Sequence, residues 1–254
     1  MIRLLDGEFE PWELFSARVL AARRSYKDIK ESQFWLQELC RGGNFAARAE
    51  KLGVSGGPQA APTAVCSIAD GFAILAAKED ADWEELITFL RMQPWLSLQC
   101  GAEIAARLPF PIDWTSILVK YAAPGQAGDI APAGGPGEVY DILAQCFPGM
   151  KNRNDWMADL ALRWRRGTAK SWVLEGQCTA SALAVAEHYA FLGAVGTLPG
   201  ARGRGLAGRL LTHVAAEMAG REVWLSCREE LRGFYESIGF VGAGKMATVK
   251  KEAI

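Results

Sequence analysis

Apolar positions recur along this chain at helical spacing in some stretches and as short continuous runs in others, and the changes between the two mark out a series of elements. In residues 154–166, Trp156, Leu160 and Trp164 fall every four residues on one face, and Asn152 or Asn154 stands ready to cap the start. The spacing predicts a helix there, preceded by another over 137–147. Three short apolar runs follow at 171–175, 179–187 and 190–197, separated by turn residues, and predict three antiparallel strands. Residues 206–219 place Leu206, Leu210, Leu211 and Val214 on one side and predict a helix. A strand over 222–227 and a helix over 229–238 come next, the helix closed by Gly239 where a left-handed cap needs no Cβ. Strand resumes at Phe240.

The first half repeats this order in blurred form. Residues 35–50 lie without gaps over 172–187, with Trp, Glu, Ala, Ala and Glu in common. Beyond them the pattern predicts a strand at 72–77, a helix at 83–91, a strand at 95–99, a helix at 101–108 and a strand at 115–121. An internal duplication accounts for the repeat. The plainer account, that small mixed domains often alternate in this way, stands beside it. Proline, glycine and alanine replace periodic apolar residues at 122–137, which sets a boundary between a unit over 1–122 and another over 137–254. Residues 53–62 read as a long hairpin loop or an insertion in the first half.

Composition narrows the class. Half of the 254 residues are hydrophobic, 22% are charged and nine are tryptophan, enough for a packed core and a soluble globular protein. A net charge of -1 gives no global attraction for phosphate backbones, so nucleic acid is not the expected partner. The six cysteines, Cys40, Cys66, Cys100, Cys146, Cys178 and Cys227, form no C-x-x-C pair or zinc spacing, and point to a reduced cytoplasmic protein without a metal. The start lacks the apolar stretch of a signal peptide. Residues 178–198 contain no lysine or arginine, but Glu187 and His188 at their middle make two strands joined by a polar turn the expected reading, not a membrane span.

The chemistry concentrates in residues 194–210. A strand runs out at Thr197, Pro199 blocks its continuation, and a glycine-rich turn opens into the helix at 206. Such a turn leaves backbone N–H groups converging at the positive end of a helix dipole, which makes an anion site. Gly203 and Gly205 keep side chains out of the way, while Arg202, Arg204 and Arg209 add positive charge. No Gly-Lys-Ser/Thr sequence marks a nucleotide P-loop, and no third glycine completes a dinucleotide fingerprint.

Downstream stands Gly233-Phe-Tyr-Glu-Ser-Ile-Gly-Phe240. Together the two stretches resemble the GNAT N-acetyltransferase superfamily: Arg202-Gly-Arg-Gly-Leu-Ala207 matches its Arg/Gln-x-x-Gly-x-Gly/Ala pyrophosphate motif, and Tyr235 through Gly239-Phe240 its Tyr-x-x-x-Gly-Phe motif. The resemblance covers about residues 137–250 and implies an α/β (α+β) GNAT fold, a mixed, mostly antiparallel sheet flanked by helices. It implies that the strands at 190–197 and 222–227 splay apart, with acetyl-CoA as cosubstrate lying in the gap. Backbone groups of Val195, Gly196 and Thr197 would meet its pantetheine arm, and Arg202, Gly203, Arg204, Gly205, Leu206 and Ala207 its pyrophosphate. In the family's direct transfer a tyrosine protonates the departing thiolate, which gives Tyr235 the role of general acid, beside the plainer role of packing the core.

The chain departs from the family in two places. Residues 190–197 lack the glutamate many members carry in this strand, which leaves Glu187, with His188, as the candidate base, or as ordinary polar turn residues. Ser226-Cys227-Arg228 stands where an asparagine is often found. His213 is expected at the surface, and Cys227 as a packed thiol and not a nucleophile. The first half has acids where a phosphate loop needs glycine and arginine, and reads as a GNAT-like copy that binds no cofactor. The acceptor is a small-molecule or peptide amine, no membrane partner is expected, and a homodimer is allowed. A coenzyme A-binding sensor or scaffold without catalysis is the rival reading.

Overall fold

The chain divides into two units, Met1–Phe15 with Ile29–Trp114 and Ala247–Ile254, and Ser16–Asp28 with Thr115–Met246. The computed structural model describes residues 2–4, 33–38, 62–69, 71–124, 128–150, 152–185 and 188–251.

In the first unit β1 (Ile2–Leu4), β2 (Gln33–Glu38), β3 (Pro62–Ala69), β4 (Phe72–Ala77) and β5 (Ser97–Gly101) lie side by side in chain order. The first four pair antiparallel. β4 and β5 run parallel, from Phe72↔Ser97 to Ile74↔Gln99, because α1 (Trp83–Met92) carries the chain back across the sheet. α1 begins where predicted, and the Asp82 side chain caps it by accepting the Glu85 N–H at 3.0 Å. Trp95, expected within a strand, is instead a plug ahead of β5. Its indole is buried against Phe110 and donates to the Leu90 carbonyl at 2.7 Å. The predicted helix at 101–108 shrinks to α2 (Ala102–Ala105), with turns after it. β3 was not anticipated, although Asp70-Gly71 is a hairpin sequence, and Gly71 takes φ +73° between β3 and β4. The second half of the predicted 35–50 hairpin lies outside the described residues; β2 pairs with β3, Trp35 opposite Cys66.

The second unit begins inside β6 (Ile112–Tyr121) and continues with α3 (Pro136–Cys146), α4 (Arg153–Arg165), β7 (Lys170–Leu174), β8 (Cys178–Val185) and β9 (Tyr189–Thr197). Then come α5 (Leu206–Glu217), β10 (Glu222–Cys227), α6 (Arg232–Ser237) and β11 (Phe240–Lys250), whose residues from Ala247 on belong to the first unit. The strands stand in the order β11-β6-β10-β9-β8-β7. β7, β8 and β9 pair antiparallel, as do β10 and β6, whereas β9 and β10 are parallel with α5 between them. This is a mixed α+β sheet with helices on both faces. Leu206, Leu210, Leu211 and Val214 of α5 pack on Ala180, Ala182, Ala190, Leu192, Val223 and Leu225, each buried leucine or valine contributing about 2 kcal/mol. The alanines of β8 let the helix sit close. α3 and α4 bury Val139, Leu143 and Leu160 in a separate cluster with Val173 and Ala194.

The predicted helix at 229–238 divides into a 3-10 turn at Glu229–Leu231 and α6. Gly239 behind it is required twice, by its φ of +97° and because a Cβ there would lie 2.5 Å from the Ala123 Cβ. His213 corrects the surface expectation. It is 3% exposed on α5, edge-on to Trp172 with centroids 6.0 Å apart, and its Nδ1 accepts the Gly128 N–H at 3.2 Å. No helix among the described residues is long and apolar enough to cross a membrane.

Candidate active site

β9 and β10 pair only as far as Leu192↔Leu225. β9 then continues to Thr197 and β10 to Cys227 with no rungs between them, so the two strands part. On its other edge β9 stays paired with β8, Gly196 opposite Thr179 and Thr197 opposite Cys178. The parting therefore leaves one edge of β9 without a strand partner beyond Leu192, while the strand itself remains held.

A bulge sharpens this edge. The β8–β9 register shifts between Thr179 and Ser181, and Ala194 takes φ +49°, a left-handed conformation uncommon for alanine. The extra residue changes which side chains share a face. Ala190 and Leu192 face α5 and Val195 does too, while Ala194 packs with the α3–α4 cluster. Gly196 lies close under α3: a Cβ there would be 3.1 Å from Leu143 Cδ2 and 3.2 Å from Cys146 Sγ.

At the end of β9 the chain makes a 3-10 turn over Pro199–Ala201 and enters α5. Gly203 and Gly205 have φ of +77° and +73°, conformations that favour glycine, and a Cβ on either would meet nothing within 4 Å. Gly205 is the N-cap and supplies no side-chain acceptor, so the first-turn N–H groups of α5, Leu206 and Ala207 among them, face outward at the positive end of a 12-residue helix. Left-handed glycines, uncapped amides and open space fit a phosphate-bearing ligand.

The arginines are not the free charges expected. Arg202 Nε donates to the Thr197 carbonyl at 3.3 Å, tying the loop to the strand that feeds it. Arg204 donates to Glu175 at 2.9 Å and to the Gln177 side chain at 2.6 Å, and Arg209 reaches Glu175 at 3.4 Å. Glu175 and Gln177 belong to the turn between β7 and β8. The pattern places Glu175 at the end of a predicted strand over 171–175, whereas β7 ends at Leu174 and Glu175 lies in the turn; nothing in the local sequence signals its pairing with arginines 29 and 34 residues away.

On the β10 side, Tyr235 of α6 is 6% exposed, with ring contacts to Phe234 at 5.1 Å and Phe240 at 5.7 Å. Burial, and then the nearby Cys227, push its hydroxyl well above the usual tyrosine range, so it keeps its proton. Cys227 ends β10 beyond the last rung and is buried in the same cluster as Tyr235. The Cys227 thiol is itself raised by burial, then by Glu229, and is 6% exposed, as a packed thiol should be. Ser226 donates to Ser116 of β6 at 3.0 Å. His188 is exposed and its carbonyl accepts the Glu222 N–H at 2.9 Å; Glu187 lies outside the described residues. Among the described residues no cluster of His, Cys, Asp and Glu is able to hold a metal.

Residues 137–240 match the model of the acetyltransferase (GNAT) family. The chain also resembles solved structures. A GCN5-related N-acetyltransferase from Kribbella flavida is 15% identical over 84% of this chain and 98% of that one, with a TM-score of 0.53. A GNAT-family acetyltransferase from Colwellia psychrerythraea is 11% identical over 99% and 100%, TM-score 0.54. A GCN5-related N-acetyltransferase from Sphaerobacter thermophilus is 15% identical over 81% and 85%, TM-score 0.54. At these identities they establish the fold. No curated protein matches the sequence.

Proposed function

We propose that the GNAT-family domain at residues 137–240 transfers the acetyl group of acetyl-CoA to an amine by direct attack in a ternary complex. The observation that carries the reading is the parting of β9 from β10 after Leu192↔Leu225, which opens strand-edge backbone beside the uncapped start of α5. Acetyl-CoA supplies the activated acyl group. The β9 edge at Val195, Gly196 and Thr197 offers main-chain groups to an amide-bearing arm, as a further strand would use them. The loop from Arg202 to Ala207 takes the diphosphate on its N–H groups. Tyr235, kept protonated by its surroundings, donates to the departing sulfur.

The base is Glu187, with His188, acting through water, and the acceptor is a small-molecule or peptide amine in the reduced cytoplasm. Residues 1–122 are a GNAT-like copy that holds no cofactor, since the turn after β4 leads into a helix whose N-terminus Asp82 already caps. Calorimetry with acetyl-CoA, followed by an amine screen that detects released thiol, tests the reading. Binding with acyl transfer supports the enzyme, binding without thiol release with any amine favours the sensor, and no binding rejects both.

A further inference from the structure

The β7–β8 turn carries an unusual residue for its shape. Gln177 N–H bonds to the Leu174 carbonyl at 3.0 Å, and the two residues between them are both left-handed, Glu175 at φ +55° and Gly176 at φ +64°. Two-residue turns of this form favour Asn-Gly, because asparagine tolerates positive φ. A glutamate there is strained, and strain held beside a candidate site is an observation that asks for a role.

Its contacts point to one. The Glu175 carboxylate bonds Arg204 at 2.9 Å through one oxygen and Arg209 at 3.4 Å through the other, so one acid joins two of the three arginines around the α5 entrance. Gln177 braces the same arginine at 2.6 Å, and its carbonyl accepts the Leu198 N–H at 2.9 Å, fastening the turn to the end of β9. All three charged groups are exposed, so their mutual attraction contributes little to stability. The same carboxylate nevertheless adds a negative charge where a diphosphate would arrive, and occupies the donors that would meet it.

We propose that Glu175 is a built-in competitor of the coenzyme phosphates: it holds Arg204 and Arg209 until ligand displaces it, weakening coenzyme A binding and speeding its release. This rests on the acetyl-CoA reading of the loop. Two variants separate charge from strain. Glu175→Gln removes the charge and keeps the strained turn, whereas Glu175→Asn removes the charge and relieves the turn. Calorimetry with coenzyme A on the full chain should show both variants binding about three- to tenfold more tightly than wild type at low salt, the size expected of one exposed charge facing several phosphate charges, with the gain shrinking as salt rises. Stopped-flow release should slow in proportion, and only Glu175→Asn should raise Tm. If wild type binds coenzyme A and neither variant binds more tightly, or both bind less tightly, the competitor role is overturned while the loop assignment stands. If wild type itself does not bind coenzyme A, the acetyl-CoA reading falls and takes this inference with it.

Discussion

Leu192 of β9 lies opposite Leu225 of β10, and this pair is the last rung before the strands separate. Both side chains are buried under α5, so the rung is clamped by the core while everything beyond it on the β10-facing edge of β9 loses its ladder partner. The opening is thus fixed by packing on one side and by the β8 ladder on the other. The main-chain edge of β9 is therefore preformed, and a ligand that pairs with it need not reorganise the strand.

The loop should hold coenzyme A without a metal. Affinity is expected to be the same in EDTA as in buffer. Gly205→Glu should lower it by about a hundredfold, because the carboxylate repels phosphate and disturbs an amide contact worth roughly 1.5–3 kcal/mol. Titration calorimetry decides the matter, with circular dichroism to confirm that α5 persists. A hundredfold loss in EDTA, or unchanged affinity in the variant, would put the phosphates elsewhere.

Tyr235→Phe should keep the ring that packs against Phe240 and so leave coenzyme A affinity within about twofold, while turnover falls roughly 10²–10⁴-fold. Glu187→Gln should do less, since bulk solvent replaces a water-relayed base at higher pH. Steady-state thiol release measures both. Near-normal turnover in the phenylalanine variant would leave Tyr235 as a core residue only.

α1 and α5 both follow a strand, but Asp82 fills the amino end of α1 with its own carboxylate whereas Gly205 leaves that of α5 bare. One coenzyme A should therefore bind per chain. Asp82→Ala should cost about 1 kcal/mol of stability, by denaturant titration, and leave affinity and stoichiometry unchanged, because Glu79, Asp80 and Glu84 still put acids where phosphates would have to sit. A stoichiometry of two would refute the assignment of a single site.

The first unit should weaken steeply in alkali. Burial raises the Cys66 thiol well above the ordinary 9.0, with Cys100 adding to it. Cys100 is pushed up to about 12, by burial first and then by Glu103. Above pH 9.0 the unfolded chain ionises both thiols while the folded chain keeps both protons. Unfolding then releases protons, so stability is full below that pH and falls as pH rises, by about 1.4 kcal/mol per pH unit per thiol. Denaturant titrations between pH 8 and 11 should show the slope, and Cys66→Ala should reduce it by about half.

The sequence by itself determined most of the elements that form in the second unit and where its glycine-rich loop lies. Leu206, Leu210, Leu211 and Val214 declare α5 by spacing, and Pro199, Gly203 and Gly205 punctuate the loop, because helical periodicity and permitted φ are local properties. What only the tertiary structure decided depends on groups far apart in the chain. His213 reads as a surface residue from its helical neighbours, yet it is buried because Trp172 and the backbone of Gly128 close over it. The bulge at Ala194 exists only relative to the register of β8, and no pattern within β9 announces it. Arg204 and Arg209 look like free cations in the sequence, 29 and 34 residues from the glutamate that holds them. Local pattern sets the φ and face of each residue, but the charge a ligand meets is set by which side chains the sheet brings together, and that is a property of long-range packing alone.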